Sequence, residues 1–172
     1  MMIIEDGTGL TDSNSYVSVV FADNYFSVRG ISKWLELEED KKEQLLIRAT
    51  DYIDSTFQWY GKKLNQEQSL RFPRENLFDY EGNEIKNIPT CLKQAVCEAS
   101  LLLADGNELF QTSESNGNVV SETIGQLSFT YSKDNKESIT SISLYDSINT
   151  KLRGLFKDNS KNRIVVGKVA RV

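Results

Sequence analysis

Four aromatic residues, Trp34, Trp59, Tyr60 and Phe72, stand close in sequence to Lys33, Lys62, Lys63, Arg71 and Arg74. Aromatic rings offer stacking faces to unpaired bases and the cations meet phosphates, so this interleaving is one that single-stranded nucleic acid can use. Core aromatics beside a charged surface produce the same pattern, and an acidic chain favours that second reading. Two acidic groups also invite chemistry. Glu38, Glu39, Asp40 and Glu43 have the composition of a metal or acid/base cluster, but they equally suit the start of a helix, whose dipole stabilises negative charge. Asp79 to Glu84, DYEGNE, has oxygen ligands around a glycine yet lacks the downstream glutamate that completes a calcium loop.

The chain contains no histidine. That removes Ser-His-Asp and Cys-His nucleophiles, histidine general bases and histidine-ligated metals. There is no phosphate-cradling glycine loop and no G-x-S-x-G elbow. Cys91 and Cys97 lie six residues apart in a predicted helix. Such a step rises about 9 Å, too far for a disulfide, so both are expected to be buried free thiols in a reducing compartment. The expectation is a protein that is not an enzyme and has no cofactor and no metal.

Length and composition bound the rest. The chain has 172 residues, 39% hydrophobic and 26% charged, which suits one soluble domain with a real core. Apolar runs such as 99–104 are far shorter than the roughly 20 residues a bilayer needs, and the N-terminus has no signal-peptide pattern. The net charge of −5 is unevenly spread. From Lys151 to Val172, seven basic residues oppose Asp158 alone, a local charge of +6, which leaves −11 for the preceding 150 residues. An acidic body with a basic tail predicts docking of that tail on an acidic surface, for instance another copy's body; a solvated tail is the alternative.

These residues need elements to hold them. Ser18 is a predicted N-cap for a helix through about Val28, with Ala22, Tyr25 and Phe26 on its apolar face and Gly30 at its end. A second helix is predicted from Glu38 to Phe57, with Leu45, Ala49, Tyr52, Ile53 and Thr56 inward. The Phe72-Pro73-Arg74 step excludes helix, and Gly82-Asn83 predicts a tight turn. Pro89 opens a third helix carrying Leu92, Ala95, Val96, Ala99, Leu102 and Leu103, stopped by Gly106. Leu127, Phe129 and Tyr131 alternate with polar residues, which predicts a strand in a hairpin or β-loop near 117–132. Tyr145, Ile148, Leu152, Leu155 and Phe156 fall at helical spacing. The final stretch, NRIVVGKVARV, alternates apolar and basic character and calls for a partner edge. The fold class expected is mainly α (α+β): a small helical bundle over 1–156 with a projecting β-hairpin, then an extended tail over 157–172.

Several segments together resemble a known family. IIEDGTGLTDSNSYVSVVFADNYFSVRG (Ile3 to Gly30), LIRATDYIDSTFQWYGKK (Leu46 to Lys63), QSLRFPR (Gln68 to Arg74), IPTCLKQAVCEASLLLA (Ile88 to Ala104) and SETIGQLSFTYS (Ser121 to Ser132) occur in order. They are similar to tailed-bacteriophage proteins known under two descriptions, head-to-tail connectors (adaptors) and DnaT-like single-stranded-DNA-binding proteins. The resemblance spans about Ile3 to Phe156, and the tail has no fixed counterpart in it.

The connector description implies a structural virion protein at the neck, assembled in the host cytoplasm. Heterologous contacts would close a ring of about twelve copies between the portal protein and a tail or nozzle/stopper protein. Double-stranded DNA would pass through its lumen without sequence-specific binding, and no membrane is involved. On that reading Lys161, Arg163, Ile164, Val165, Val166, Lys168, Val169 and Arg171 contact the portal or a neighbouring subunit, and Leu127, Phe129 and Tyr131 form an inter-subunit β-loop. The DNA-binding description implies salt-dependent affinity for oligonucleotides through residues such as Trp59 and Lys62.

Overall fold

A computed structural model describes residues 1–107, 109, 120–124, 127–131 and 147–157. The element order is α1 (Val19–Ser27), α2 (Ser32–Leu35), α3 (Glu39–Thr56), β1 (Lys62–Lys63), β2 (Arg74–Glu75), α4 (Thr90–Ala104), β3 (Val120–Ile124) and β4 (Leu127–Tyr131). A further helical segment covers 147–152. The fold is mainly helical with small antiparallel strand pairs, as the sequence pattern predicts.

Local signals set the helix ends. The Ser18 hydroxyl accepts the Phe21 N–H at 3.1 Å, and Gly30 takes φ +69° while Ile31 N–H returns to the Phe26 carbonyl at 3.0 Å. Glu38 and Phe57 are the residues flanking α3, and Pro89 is the N-cap of α4 and not its first helical residue. Gly106, at φ +85°, follows α4 and donates to Leu103. The expected second helix faces inward slightly differently from its predicted stripe. Its buried residues are Lys42, Leu45, Leu46, Ala49, Thr50 and Ile53, while Tyr52 is half-buried and Thr56 exposed. Thr50 is accommodated because its hydroxyl donates to the Leu46 carbonyl at 2.9 Å.

The core forms where α3 and α4 pack together with α1 against both. Ile148, Leu152 and Leu155 close it from the last segment. Tyr145 lies outside the described residues. The sequence pattern missed α2, whose Trp34 is fully buried and donates its indole N–H to Asp23 at 2.8 Å. Asp23 also pairs with the buried Lys42 at 3.0 Å, tying α1, α2 and α3 together.

The lead-in is ordered around one carboxylate. Glu5, 2% exposed, accepts the N–H groups of Gly7, Gly9 and Leu10 and the Ser13 hydroxyl, all at 2.9–3.0 Å. Four donors converging on one ion offset the cost of burying it. The β3–β4 hairpin pairs Val120 with Tyr131 through to Ile124 with Leu127. No helix among the described residues is long and apolar enough to cross a membrane.

Candidate nucleic-acid interface

Trp59 to Lys63 and Arg71 to Arg74 meet at the corner after α3, whereas Trp34 packs on Phe26 elsewhere in the core, and most of the aromatic rings point inward. Trp34 and Phe72 are fully buried and Trp59 is 6% exposed. Trp59 and Phe72 meet edge to face at 5.0 Å, and Phe57 packs on Trp59 and Phe156 at 5.6 and 4.7 Å. This overturns Trp34, Trp59 and Phe72 as stacking platforms, because their faces are already covered by protein. Trp59 Nε1 is buried with no acceptor among the described residues.

Two of the five cations are likewise engaged internally. Arg74 donates to the carbonyls of Tyr60 (2.6 Å), Arg71 (2.9 Å) and Gly61 (2.9 Å), so its planar fork fixes the corner's backbone. Lys63 Nζ donates to the Gln68 carbonyl at 2.8 Å. Lys33 forms an ion pair with Asp105 at a distance from the corner in sequence. Gly61 takes φ +69°, and a Cβ there would lie 2.4 Å from the Glu75 carbonyl oxygen. The β1–β2 pair, Lys62 with Glu75 and Lys63 with Arg74, can therefore form only on a glycine.

Behind the corner sits a buried polar relay. Asp54 accepts from the Tyr16 hydroxyl at 2.7 Å and from Arg71 N–H at 2.8 Å, and Tyr16 Oη in turn accepts Phe72 N–H at 3.0 Å. Desolvation pushes the Asp54 carboxyl up to about 6, against the lowering effect of its hydrogen bonds with Tyr16 and Arg71. Tyr16 is raised well above its ordinary value, first by burial and then by Asp54. No local sequence pattern signals this relay, since its members lie 38 and 17 residues apart.

What remains outward is a small set. Tyr60 is 45% exposed, and Lys62 and Arg71 are exposed. The Arg74 guanidinium gathers the backbone carbonyls of Tyr60, Gly61 and Arg71, so the backbone that carries Tyr60, Lys62 and Arg71 meets at one corner. One ring and two cations can stack a base and meet neighbouring phosphates.

The other candidates resolve differently. Glu38, Glu39 and Asp40 are exposed at the start of α3, and no group of metal-ligating side chains occurs among the described residues. Asp79 in DYEGNE uses its carboxylate to accept Glu81 and Asn83 N–H groups at 2.9 and 2.8 Å, closing a turn. Both cysteines are free; Cys97 is buried as expected, whereas Cys91 is only half-buried. Burial pushes the Cys97 thiol up to about 12 and raises Cys91 as well, so neither is an activated nucleophile. Leu127, Phe129 and Tyr131 lie in β4, opposite Ile124, Glu122 and Val120. Lys161, Arg163, Ile164, Val165, Val166, Lys168, Val169 and Arg171 lie outside the described residues.

A family model described as "Putative DnaT-like ssDNA binding protein" matches residues 1–172. The chain belongs to this DnaT-like family. Of the two descriptions attached to the resembling phage proteins, the match carries the DNA-binding one. Nothing among curated proteins and nothing among solved structures matches the chain. Within the family, the segments that carry the resemblance near the corner hold Trp59, Gly61, Phe72 and Arg74, all of which serve the fold here.

Proposed function

We propose that the chain binds single-stranded DNA without catalysis, using the Tyr60, Lys62 and Arg71 corner. The full-length family match carries the reading, and the corner is the place where exposed ring and cations coincide. Stacking of one base on Tyr60 would contribute about 1–3 kcal/mol. With Lys62 and Arg71 as the two phosphate partners, log affinity should fall against log salt with a slope of about −1.4. Between 50 and 200 mM salt that is a loss of about sevenfold. The test is oligonucleotide anisotropy over a salt series. Tyr60→Ala should weaken binding at all salts, and Lys62→Ala should halve the slope. Unchanged affinity in both variants, or no binding at low salt, refutes the assignment.

One observation favours a second reading. The charge asymmetry, +6 over Lys151 to Val172 against −11 elsewhere, suits copies that dock on one another or on a portal better than a polyanion binder. On that reading the chain is a head-to-tail adaptor of the virion neck, a ring joining portal to downstream tail components around the DNA. The β4 residues and the Lys161 to Arg171 set would then make its contacts with the portal or neighbouring copies. Native mass of the chain mixed with its portal protein separates the two: a defined multi-copy complex supports the adaptor, and indifference to the portal excludes it.

A further inference from the structure

The most exposed aromatic side chains of the described residues are not at the DNA corner but on the turn beside it. Phe78 is 52% exposed and Tyr80 79% exposed, and both stand on the arm that runs from β2 to the bridge between Phe78 and Glu84. The same arm carries Asp79, Glu81 and Glu84 against Lys86 alone, a local charge of −2 over 78–86. The arm is a defined shape: Asp79 N–H donates to the Asn83 carbonyl at 2.9 Å, and the Asp79 carboxylate holds Glu81 and Asn83. The Tyr80 ring lies against Gly154, where a Cβ would sit 2.7 Å from the ring carbons. Two large aromatics held outward between acids form a ledge that the described residues leave exposed, and such surfaces mark contact sites.

The chain itself carries a segment of matching chemistry. Residues 158–172 contain Ile164, Val165, Val166, Val169 and Val172 among Lys161, Arg163, Lys168 and Arg171, with Asp158 the one acid, for a charge of +3. The segment departs from the corner beside Trp59. Tyr60 N–H donates to the Leu155 carbonyl at 2.9 Å and Lys157 N–H to the Gln58 carbonyl at 2.6 Å, about an antiparallel bridge of Trp59 with Phe156. The described chain therefore passes Gly154 and Tyr80 before Lys157, where it pairs alongside Gln58 and Trp59 and not with the ledge.

We propose that the Phe78–Glu84 ledge receives the basic, apolar segment 158–172 of a second copy of this chain. Valines and the isoleucine cover Phe78 and Tyr80, and the cations meet Glu81 and Glu84. Ledge and segment are different surfaces, so the contact is head-to-tail and each copy can engage two others. The proposal does not depend on the DNA reading, because Tyr60, Lys62 and Arg71 take no part in it.

The test uses the full chain and two charge-reversed variants, Glu81→Lys with Glu84→Lys, and Lys168→Glu with Arg171→Glu, both leaving Asp79 to hold the turn. Native mass is followed over a concentration series. The unaltered chain should self-associate, each variant alone should associate at least tenfold more weakly, and an equimolar mixture of the two should recover association. A chain that stays monomeric throughout, or variants that associate as the unaltered chain does, overturns the proposal. In a Cys91→Ser background, oxidation of Tyr80→Cys with Val169→Cys should give interchain disulfides; an intrachain product assigns the ledge to the chain's own segment and overturns it equally. Oligonucleotide affinity that does not fall in the Glu81→Lys with Glu84→Lys variant, which leaves every cation in place, keeps this result separate from the DNA reading.

Discussion

Replacing Asp54 with asparagine should flatten a defined part of the chain's pH–stability profile. Asp54 is pushed up to about 6 in the folded chain from an ordinary 3.8, mainly because burial disfavours its charged form. A folded-state pKa above the unfolded one means the native state binds more protons, so stability is greatest at low pH and falls as pH rises through 6. The full shift is worth about 3 kcal/mol, of which about 1.4 kcal/mol is lost between pH 5 and 7.5. That figure is an upper one, since Asp54 keeps partial contact with water. The groups facing Asp54 are Tyr16, Arg71, Lys63 and Arg74, none of them a carboxyl. The introduced asparagine has one oxygen where the carboxylate has two, so it keeps an acceptor for either Tyr16 Oη (at Oδ1) or Arg71 N–H (at Oδ2); that loss is independent of pH, and the readout is therefore the difference in pH sensitivity and not the absolute stability. The assay is urea denaturation at both pH values, with the unaltered chain and Asp54→Asn run in parallel. The difference in pH sensitivity between the two proteins should be about 1 kcal/mol in the stated direction. Parallel profiles, or an unaltered chain that gains stability from pH 5 to 7.5 relative to the variant, would refute the burial argument.

Gly61→Ala should cost at least about 2 kcal/mol by urea midpoint, from the left-handed backbone and the 2.4 Å approach to Glu75. Glu5→Gln should lower stability by about 2 kcal/mol in thermal denaturation, because an amide NH₂ would face N–H and hydroxyl donors that now point at a carboxylate oxygen. In the native chain at pH 8, a thiol reagent read by intact mass should label Cys91 first, and Cys97 only on unfolding, since Cys97 is buried and held near 12.

The elements legible from the sequence are those whose signals act within a few residues. Ser18 and Gly30 bracket α1, Pro89 and Gly106 bracket α4, and the alternation at Leu127, Phe129 and Tyr131 reports a strand in a hairpin. α2 escaped because four residues carry no period, and its Trp34 is buried through a hydrogen bond to Asp23, 11 positions earlier. The inward face of α3 shifted from Tyr52 and Thr56 to Leu46 and Thr50, which hydropathy alone ranks the other way for threonine and tyrosine. At the candidate site the residue types were legible and their directions were not. Trp59 and Tyr60 are adjacent, yet one packs against Phe72 and the other faces water. The Asp54 relay and the Arg74 fork join residues separated by up to 56 positions, and no local pattern announces them.

That difference between type and direction bears on how DNA affinity could arise at all. With Trp59 and Phe72 packed inside and Arg74 and Lys63 held by carbonyls, the corner offers one ring and two cations, set in a body carrying net negative charge. A slope near −1.4 would mean that these suffice. A distinctly steeper slope would require further cations, and Lys151 is already paired with Glu98 at 3.8 Å. The remaining basic residues from Arg153 to Arg171 number six, and engaging all of them with the corner pair would steepen the slope to about −5.6. The same segment that would then grip DNA is the one proposed to fill a neighbour's ledge. Oligonucleotide and self-association would therefore compete, and added DNA would dissolve the assembly in the steep case and leave it intact in the shallow one.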